Sequence, residues 1–326
     1  MSGLKNLKQK REKAINLEEK KILISNYIGT FQEKDLSELP NCNGYGRIHH
    51  FNMKTSPNWP KNPLPNFPAC RSLNIETSTI LRAEIFQVSM CNLNCWYCFV
   101  PSDLLIGNLD YAMYLSASDM ISKFMKIEDK PNTIILSGGQ PDLVPEWLYW
   151  MMLELKRNQL NNEVYLWSDD NLTTDFFFTV LSIDQINFIK TYQNYGKVGC
   201  FKGFDPKSFS FNIQSNNWQF KQQFVILNRY IELNIDVYAY VTLTAPEVEL
   251  AEKRINSFID KLQAIRYNLP LRTIPLEIKR YSPISSISKI FRLALENQHY
   301  LVKIWMDCLK ERYSKKDLKK PITEIN

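Results

Sequence analysis

The sequence predicts an α/β protein built on a parallel sheet. Three observations predict it. From about residue 78, short β-branched or aromatic runs alternate with segments of helical period, the order that strand–helix–strand units produce. Six such runs are present, with about as many helices between and after them. The last run, Arg272 to Lys279, contains Pro275, which cannot donate to a sheet ladder and therefore marks an edge strand. A closed barrel has no edges, so the sheet is open or an incomplete barrel.

Each element has its own signal, taken in chain order. Residues 1–24 place Lys5, Lys8, Lys10, Arg11, Lys13, Lys20 and Lys21 among Leu4, Leu7, Ile15, Leu17, Ile22 and Leu23, which reads as a basic amphipathic helix. It is either packed on the body with a solvated face or a surface for an anionic partner. Pro40, Pro57, Pro60, Pro63, Pro65 and Pro68 make residues 36–70 an irregular, extended segment that wraps over the domain C-terminal to it. Ile80–Val88 is the first strand. Ser116 or Ser118 caps a helix carrying Met120, Ile121, Phe124 and Met125. Thr133–Leu136 is a buried strand, and Pro145 opens a helix with Trp147, Leu148, Met151, Met152 and Leu155. Glu163–Trp167 is a strand, Phe176–Ile189 a helix and Lys197–Phe201 a strand. Trp218–Leu233 is a helix, Ile235–Leu243 a strand and Pro246–Tyr267 a helix. Arg272–Lys279 is the last strand, and a terminal helix lies near Gln298–Tyr313. The chain divides into an N-terminal wrapping part (1–75), a barrel (76–285) and a helical extension (286–326).

Composition sets the class. Forty-four per cent of the 326 residues are hydrophobic, which excludes disorder for most of the chain. The N-terminus has no apolar signal and no stretch is long enough to span a membrane, so a cytoplasmic protein is expected. Seven cysteines in a reducing compartment point to metal rather than disulfides. The net charge of +6 permits an RNA or phosphate-bearing partner without arguing for one.

The cysteines are unevenly placed. Cys91, Cys95 and Cys98 fall at C-x3-C-x2-C spacing directly after the first strand. Ligand sites of open α/β sheets lie at that end of the strands. Three thiolates in eight residues suit a soft metal centre, and an iron–sulfur cluster held by three leaves one iron open. A second signal stands after the next strand. Only ten glycines are present, yet two are adjacent in Ser137-Gly138-Gly139-Gln140-Pro141. The third strand ends in Ser168, Asp169, Asp170 and Asn171, a polar group that can also be a solvated helix cap.

The cysteine segment resembles the cluster loop of radical S-adenosylmethionine (radical SAM) enzymes, and the glycine segment resembles that family's GGEP motif. The pattern is closest to the branch containing pyruvate formate-lyase activating enzymes. The resemblance spans about residues 80–280 and implies a partial (β/α)6, TIM-like barrel. By position, Cys91, Cys95 and Cys98 would hold a [4Fe–4S] cluster whose fourth iron chelates S-adenosylmethionine, and Tyr97 would contact the adenine. Ser137, Gly138, Gly139, Gln140 and Pro141 would receive the methionine amino group. Gln140 stands where the family often has Glu. Ser168, Asp169 and Asn171 would reach the ribose or methionine.

The implied activity is reductive cleavage of S-adenosylmethionine to a 5′-deoxyadenosyl radical that abstracts hydrogen from a substrate, an oxidoreductase-like reaction. It needs a one-electron reductant of flavodoxin or ferredoxin type and no side-chain catalyst beyond the cluster. The substrate is a protein, peptide, metabolite or RNA. A lidded pocket would favour a metabolite. The competing reading is a non-catalytic iron–sulfur or zinc protein, with Cys70 or His50 as a fourth ligand. Cys42, Cys70, Cys200 and Cys308 read as isolated small hydrophobes. His49 and His50 read as surface residues near the mouth of the site, and His299 as part of the terminal helix. Lys202 and Asp205 are candidates to face substrate, and Glu277 and Lys279 share one face of the last strand.

Overall fold

The six expected strands form one parallel run, and it is the frame on which everything else is hung. The structure is a computed structural model that describes residues 2–282 and 288–325. The strands are β1 (Ile15–Asn16), β2 (Lys21–Ser25), β3 (Arg47–Asn52), β4 (Ile80–Val88), β5 (Ala112–Ser116), β6 (Thr133–Gly138), β7 (Tyr165–Asp170), β8 (Tyr195–Phe201), β9 (Val237–Val241) and β10 (Thr273–Pro275). β4, β6, β7, β8, β9 and β10 pair in that order, each parallel to the next. The edge position inferred from Pro275 is the one β10 occupies.

The helices are α1 (Ser2–Ala14), α2 (Asn66–Leu73), α3 (Ala117–Phe124), α4 (Glu146–Arg157), α5 (Phe176–Thr179), α6 (Ile183–Thr191), α7 (Pro206–Ile213), α8 (Phe220–Glu232), α9 (Ala251–Ile265) and α10 (Lys289–Arg312). Ser116 starts α3 through a reciprocal capping box with Asp119. The long helix expected from Phe176 is broken in two. Ser182 makes its own capping box with Gln185, and that local bond competes with continuing the first helix. The missed helix α7 begins the same way, with Asp205 capping Ser208. The boundary placed between residues 285 and 286 lies outside the described residues.

Alternation along the strands builds two cores. Phe86, Ile134, Leu136 and Leu166 point outward to helices that supply Trp147, Met151, Phe258 and Trp305. Ala83, Ile85, Ile135, Trp167, Val198 and Tyr238 point inward and fill the barrel below its mouth. Trp167 and Tyr238 stack there with ring centroids 5.8 Å apart.

The N-terminal part differs from its expected form. The helix stops at Ala14, and Ile22, Leu23 and Ile24 are buried in β2. β2 runs antiparallel between β4 and β5, while β3 runs antiparallel along β4. The wrapping segment therefore adds strands to the sheet as well as covering it. Its far end reaches the barrel edge, where the Trp59 indole donates to the Pro275 carbonyl at 3.0 Å. The basic face of α1 is docked: Arg11 is 9% exposed and forms a buried ion pair with Glu146. No helix is long and apolar enough to cross a membrane among the described residues.

Candidate functional site

The cysteine loop leaves β4 and is fixed from three sides. The Cys91 N–H bonds the Leu105 carbonyl at 3.0 Å, and Lys10 of α1 donates to the Cys91 carbonyl at 2.8 Å. On the far side, Trp96 donates through its backbone and its indole to Asn212 of α7. Its ring stacks on Phe291 of α10 with centroids 4.6 Å apart. Cys91, Cys95, Cys98 and Tyr97 all line one cavity of about 500 Å³ at the barrel mouth. Ser137, Gly138, Gly139, Gln140, Pro141, Asp169, Asp170 and Asn171 line the same cavity. Three strand ends read separately in the sequence thus converge.

The glycines are required by the protein itself. Gly138 has φ of +84°, a conformation other residues rarely adopt. A Cβ on Gly139 would lie 2.0 Å from the Met90 carbonyl oxygen. The Gly139 and Gln140 N–H groups donate to the Val88 and Met90 carbonyls at 3.2 and 2.8 Å. The glycine pair lets the end of β6 pass against the root of the cysteine loop, a reason more specific than close approach to a ligand.

Gln140 links the second segment to the third. Its Nε2 donates to Asp170 at 2.6 Å, and its Oε1 accepts from the Asn171 N–H at 2.9 Å. Asn171 in turn donates to Asn92, inside the cysteine loop, at 2.8 Å, and Asn92 donates to Thr173 at 2.8 Å. Asn92 and Thr173 are positioning residues that sequence reasoning missed. They carry no metal or catalytic signature, and only the fold brings them together.

Strand alternation sorts the polar group after Trp167. β7 runs to Asp170, three residues beyond the expected end, so Ser168, Asp169 and Asp170 lie within it. Asp169 faces the cavity, accepting from Ser137 and from the Trp167 indole. Burial pushes its carboxyl up. Ser168 faces the other way, with its hydroxyl 2.8 Å from the Tyr195 hydroxyl, and does not line the cavity. Asp170 belongs to a buried network in which Lys197 pairs with Asp142 at 2.9 Å and Tyr230 donates to both aspartates. Burial, then the Asp142 charge, push Asp170 up to about 7.

The remaining candidates also resolve. Asp205 caps α7 and pairs with Arg254 rather than facing substrate. Glu277 and Lys279 lie beyond β10 and line the cavity, 3.5 Å apart as an ion pair. Lys202 lines the cavity, and its ammonium has no hydrogen bond or ion pair among the described residues. Burial lowers its pKa, but the charges that Cys200, Tyr97, Cys95 and Cys91 carry when deprotonated outweigh that and raise it. His49 lines the cavity wall instead of the outer surface, and burial lowers it to about 4. His50, next on the strand, borders the cavity but turns its part-exposed ring to Ser37 and Glu38. Cys200, discounted as isolated, lines the cavity as well.

Three soft thiol donors lining one cavity fit an iron–sulfur cluster with one iron left open. Burial pushes Cys95 up to about 11 and Cys98 up to about 12, so metal must displace their protons. Cys98 feels both Cys95 and Cys91 as neighbours. Yet no group of three His, Cys, Asp or Glu is gathered for one metal ion among the described residues. Of the two fourth ligands the zinc reading offers, the Cys70 thiol is turned to Asn66 at 3.3 Å and the His50 ring to Ser37 and Glu38.

Comparison with known families agrees with this geometry. Residues 88–224 match the family model described as the radical SAM superfamily. This stretch, from the cysteine loop into α8, is the part of the chain that is similar to a radical SAM domain. Radical SAM domains bind a [4Fe–4S] cluster and S-adenosylmethionine, and the superfamily is one of enzymes. The match is to the superfamily, and it does not single out the activating-enzyme branch. Streptococcus suis SuiB bound to S-adenosylmethionine is 13% identical, with 70% of this chain and 47% of that chain covered and a TM-score of 0.46. The protein anSMEcpe with bound S-adenosylmethionine is 14% identical, with coverage of 68% and 56% and a TM-score of 0.46. QueE from Escherichia coli is 14% identical, with coverage of 67% and 81% and a TM-score of 0.35. The chain spans about half the length of the first two. No curated protein matches it.

Proposed function

We propose that this protein is a radical SAM enzyme acting on a small molecule enclosed at the barrel mouth. Cys91, Cys95 and Cys98 would hold the cluster. The observation that carries the reading is one cavity lined by those thiols, the Gly138–Gly139 segment, Asp169 and Asn171, and walled on its other side by residues 32–62. That wall supports a small substrate, in a cavity of about 500 Å³ that the cluster and S-adenosylmethionine would share. When bound, the cluster supplies the electron that splits S-adenosylmethionine for hydrogen abstraction. The chain's own residues orient and exclude water. Lys10, Asn92, Asn171 and Asn212 hold the cysteine loop in register with β6 and β7. Tyr97, buried with its hydroxyl 3.1 Å from Thr242, presents an aromatic wall beside the third thiol. Asp169 and Asn171 would meet the polar parts of S-adenosylmethionine. Lys202 lines the same cavity as the thiols. The reductant would be of flavodoxin or ferredoxin type. Residues 76–285 would form the catalytic unit, with 1–75 and 286–326 completing its walls.

The test is anaerobic reconstitution with iron and sulfide. The protein should turn brown and release 5′-deoxyadenosine under dithionite, and Cys95→Ala should do neither. Cleavage no greater than in that variant would overturn the reading.

A further inference from the structure

Arg47 is a group in the cavity wall whose chemistry the radical SAM reading does not use. It lies on β3, opposite Ile85 of β4, and cross-strand partners share a face. Ile85 points into the barrel, and so does Arg47, which lines the cavity. It is 7% exposed. Its Nε is buried without a partner, and its guanidinium makes no ion pair among the described residues. Its company is aromatic, with the Tyr27 and Phe99 rings each 5.8 Å from the guanidinium carbon. The Tyr27 hydroxyl is a neutral phenol, pushed up to about 12 by burial, and supplies no counter-charge. A guanidinium cannot shed its proton, so it cannot escape this cost by neutralising. A buried charge without a hydrogen-bonded partner is costly.

The protein's own carboxylates near Arg47 take their hydrogen bonds from other groups. Glu84 accepts from Asn41 at 2.6 Å and from the Cys42 thiol, on the opposite face of β4. Asp35 accepts two bonds from Ser282 at 2.9 Å each. Glu277 pairs with Lys279. No carboxylate of the chain contacts the guanidinium among the described residues, so its fork is left open to an anion in the cavity. A guanidinium fork matches carboxylate or phosphate oxygens two at a time.

Position says which occupant. β3 lies on the side of β4 away from β6. Ser137–Pro141, Asp169 and Asn171 stand at the ends of β6 and β7. Arg47 is thus two strand spacings, about 10 Å, from β6. Phe99, beside it, directly follows Cys98. An anion on Arg47 would sit next to the cluster loop but across it from the groups expected to hold S-adenosylmethionine. We propose that Arg47 binds a carboxylate or phosphate of the substrate, so that the substrate is a small anion. The word substrate rests on the radical SAM reading, whereas anion binding by Arg47 does not.

The experiment uses the full chain and two probes, inorganic phosphate and malonate, at constant ionic strength set with potassium chloride. Thermal unfolding of wild type should shift upward with at least one probe at millimolar concentrations. Arg47→Gln should weaken that response about tenfold or more while unfolding at or above the wild-type temperature without anion, since an uncompensated charge is gone. Arg47→Lys should respond weakly, because it keeps the charge and loses the fork. No wild-type response to either probe would overturn the proposal. So would a full response in Arg47→Gln, or a loss of several degrees in its anion-free unfolding temperature, which would make Arg47 a structural residue. In reconstituted protein, a response that persists with saturating S-adenosylmethionine supports a separate anion site. A response abolished by it assigns Arg47 to the cofactor's carboxylate and overturns the substrate assignment. Because the first arm needs no cluster, it reads Arg47 even if S-adenosylmethionine is never cleaved.

Discussion

Replacing Gln140 by glutamate, the residue that the related segment often carries, should destabilise this chain. Gln140 accepts from the Asn171 N–H and donates to Asp170 at 2.6 Å. Glutamate keeps the first bond and turns the second into two facing carboxylate oxygens. The loss is one buried hydrogen bond to a charged group, about 1.5–3 kcal/mol. Asp170 already shares its surroundings with Asp142, so the new charge has only Lys197 to lean on. At roughly 2 °C per kcal/mol for a chain of this size, the unfolding temperature should fall by about 3–6 °C at about pH 8.5. The sign with pH is set by linkage. A carboxyl whose folded pKa is raised, as Asp170 is to about 7, costs nothing below the unfolded value near 4 and loses stability as pH rises through the folded value. At about pH 6 a proton shared between the introduced glutamate and Asp170 restores a donor, so the deficit should shrink there. Differential scanning of Gln140→Glu and wild type at both pH values measures it. A variant as stable as wild type at the higher pH, or one whose deficit grows on acidification, would refute the reasoning.

Gly139→Ala pushes a methyl to 2.0 Å from the Met90 oxygen and should cost about 1–3 kcal/mol, together with loss of iron retention after reconstitution. Lys197→Met strands Asp142 and Asp170 in the core and should cost about 3–5 kcal/mol by denaturant titration. Glu84, raised to about 7 by burial, should make wild type lose stability as pH rises through neutrality, and Glu84→Gln should flatten that slope in a pH series of thermal scans. Asn92→Ala should keep stability within about 1–2 kcal/mol of wild type yet lower the iron bound per chain, since it unties the cysteine loop from Asn171 and Thr173.

What the sequence made legible was local. A buried parallel strand is a short apolar run between helices, so all six were visible, and Pro275 betrayed the edge. Cysteine spacing and a glycine pair in a glycine-poor chain need no partner to be noticed. The rest depends on distant pairing. Lys21–Ser25 reads as the tail of a helix until Ala112–Ser116, about ninety residues away, is found beside it. Ser168 groups with Asp169 in the sequence because neighbours in a loop can face one way, whereas in a strand they cannot. His49 reads as surface, and Arg47 carries no signal at all, because nothing local says that β3 lies along β4. Asn92 and Thr173 act only as a pair.

The contact between Trp59 and the Pro275 carbonyl joins residues 216 positions apart. On a ribosome adding about 5–20 residues per second, Trp59 waits roughly 10–40 seconds for its acceptor to be made. During that interval the cysteine loop already exists while its outer wall has no edge to close on. The unfinished chain thus passes through a stage in which the cysteine loop stands beside an open barrel edge, and completion of the last strand ends it.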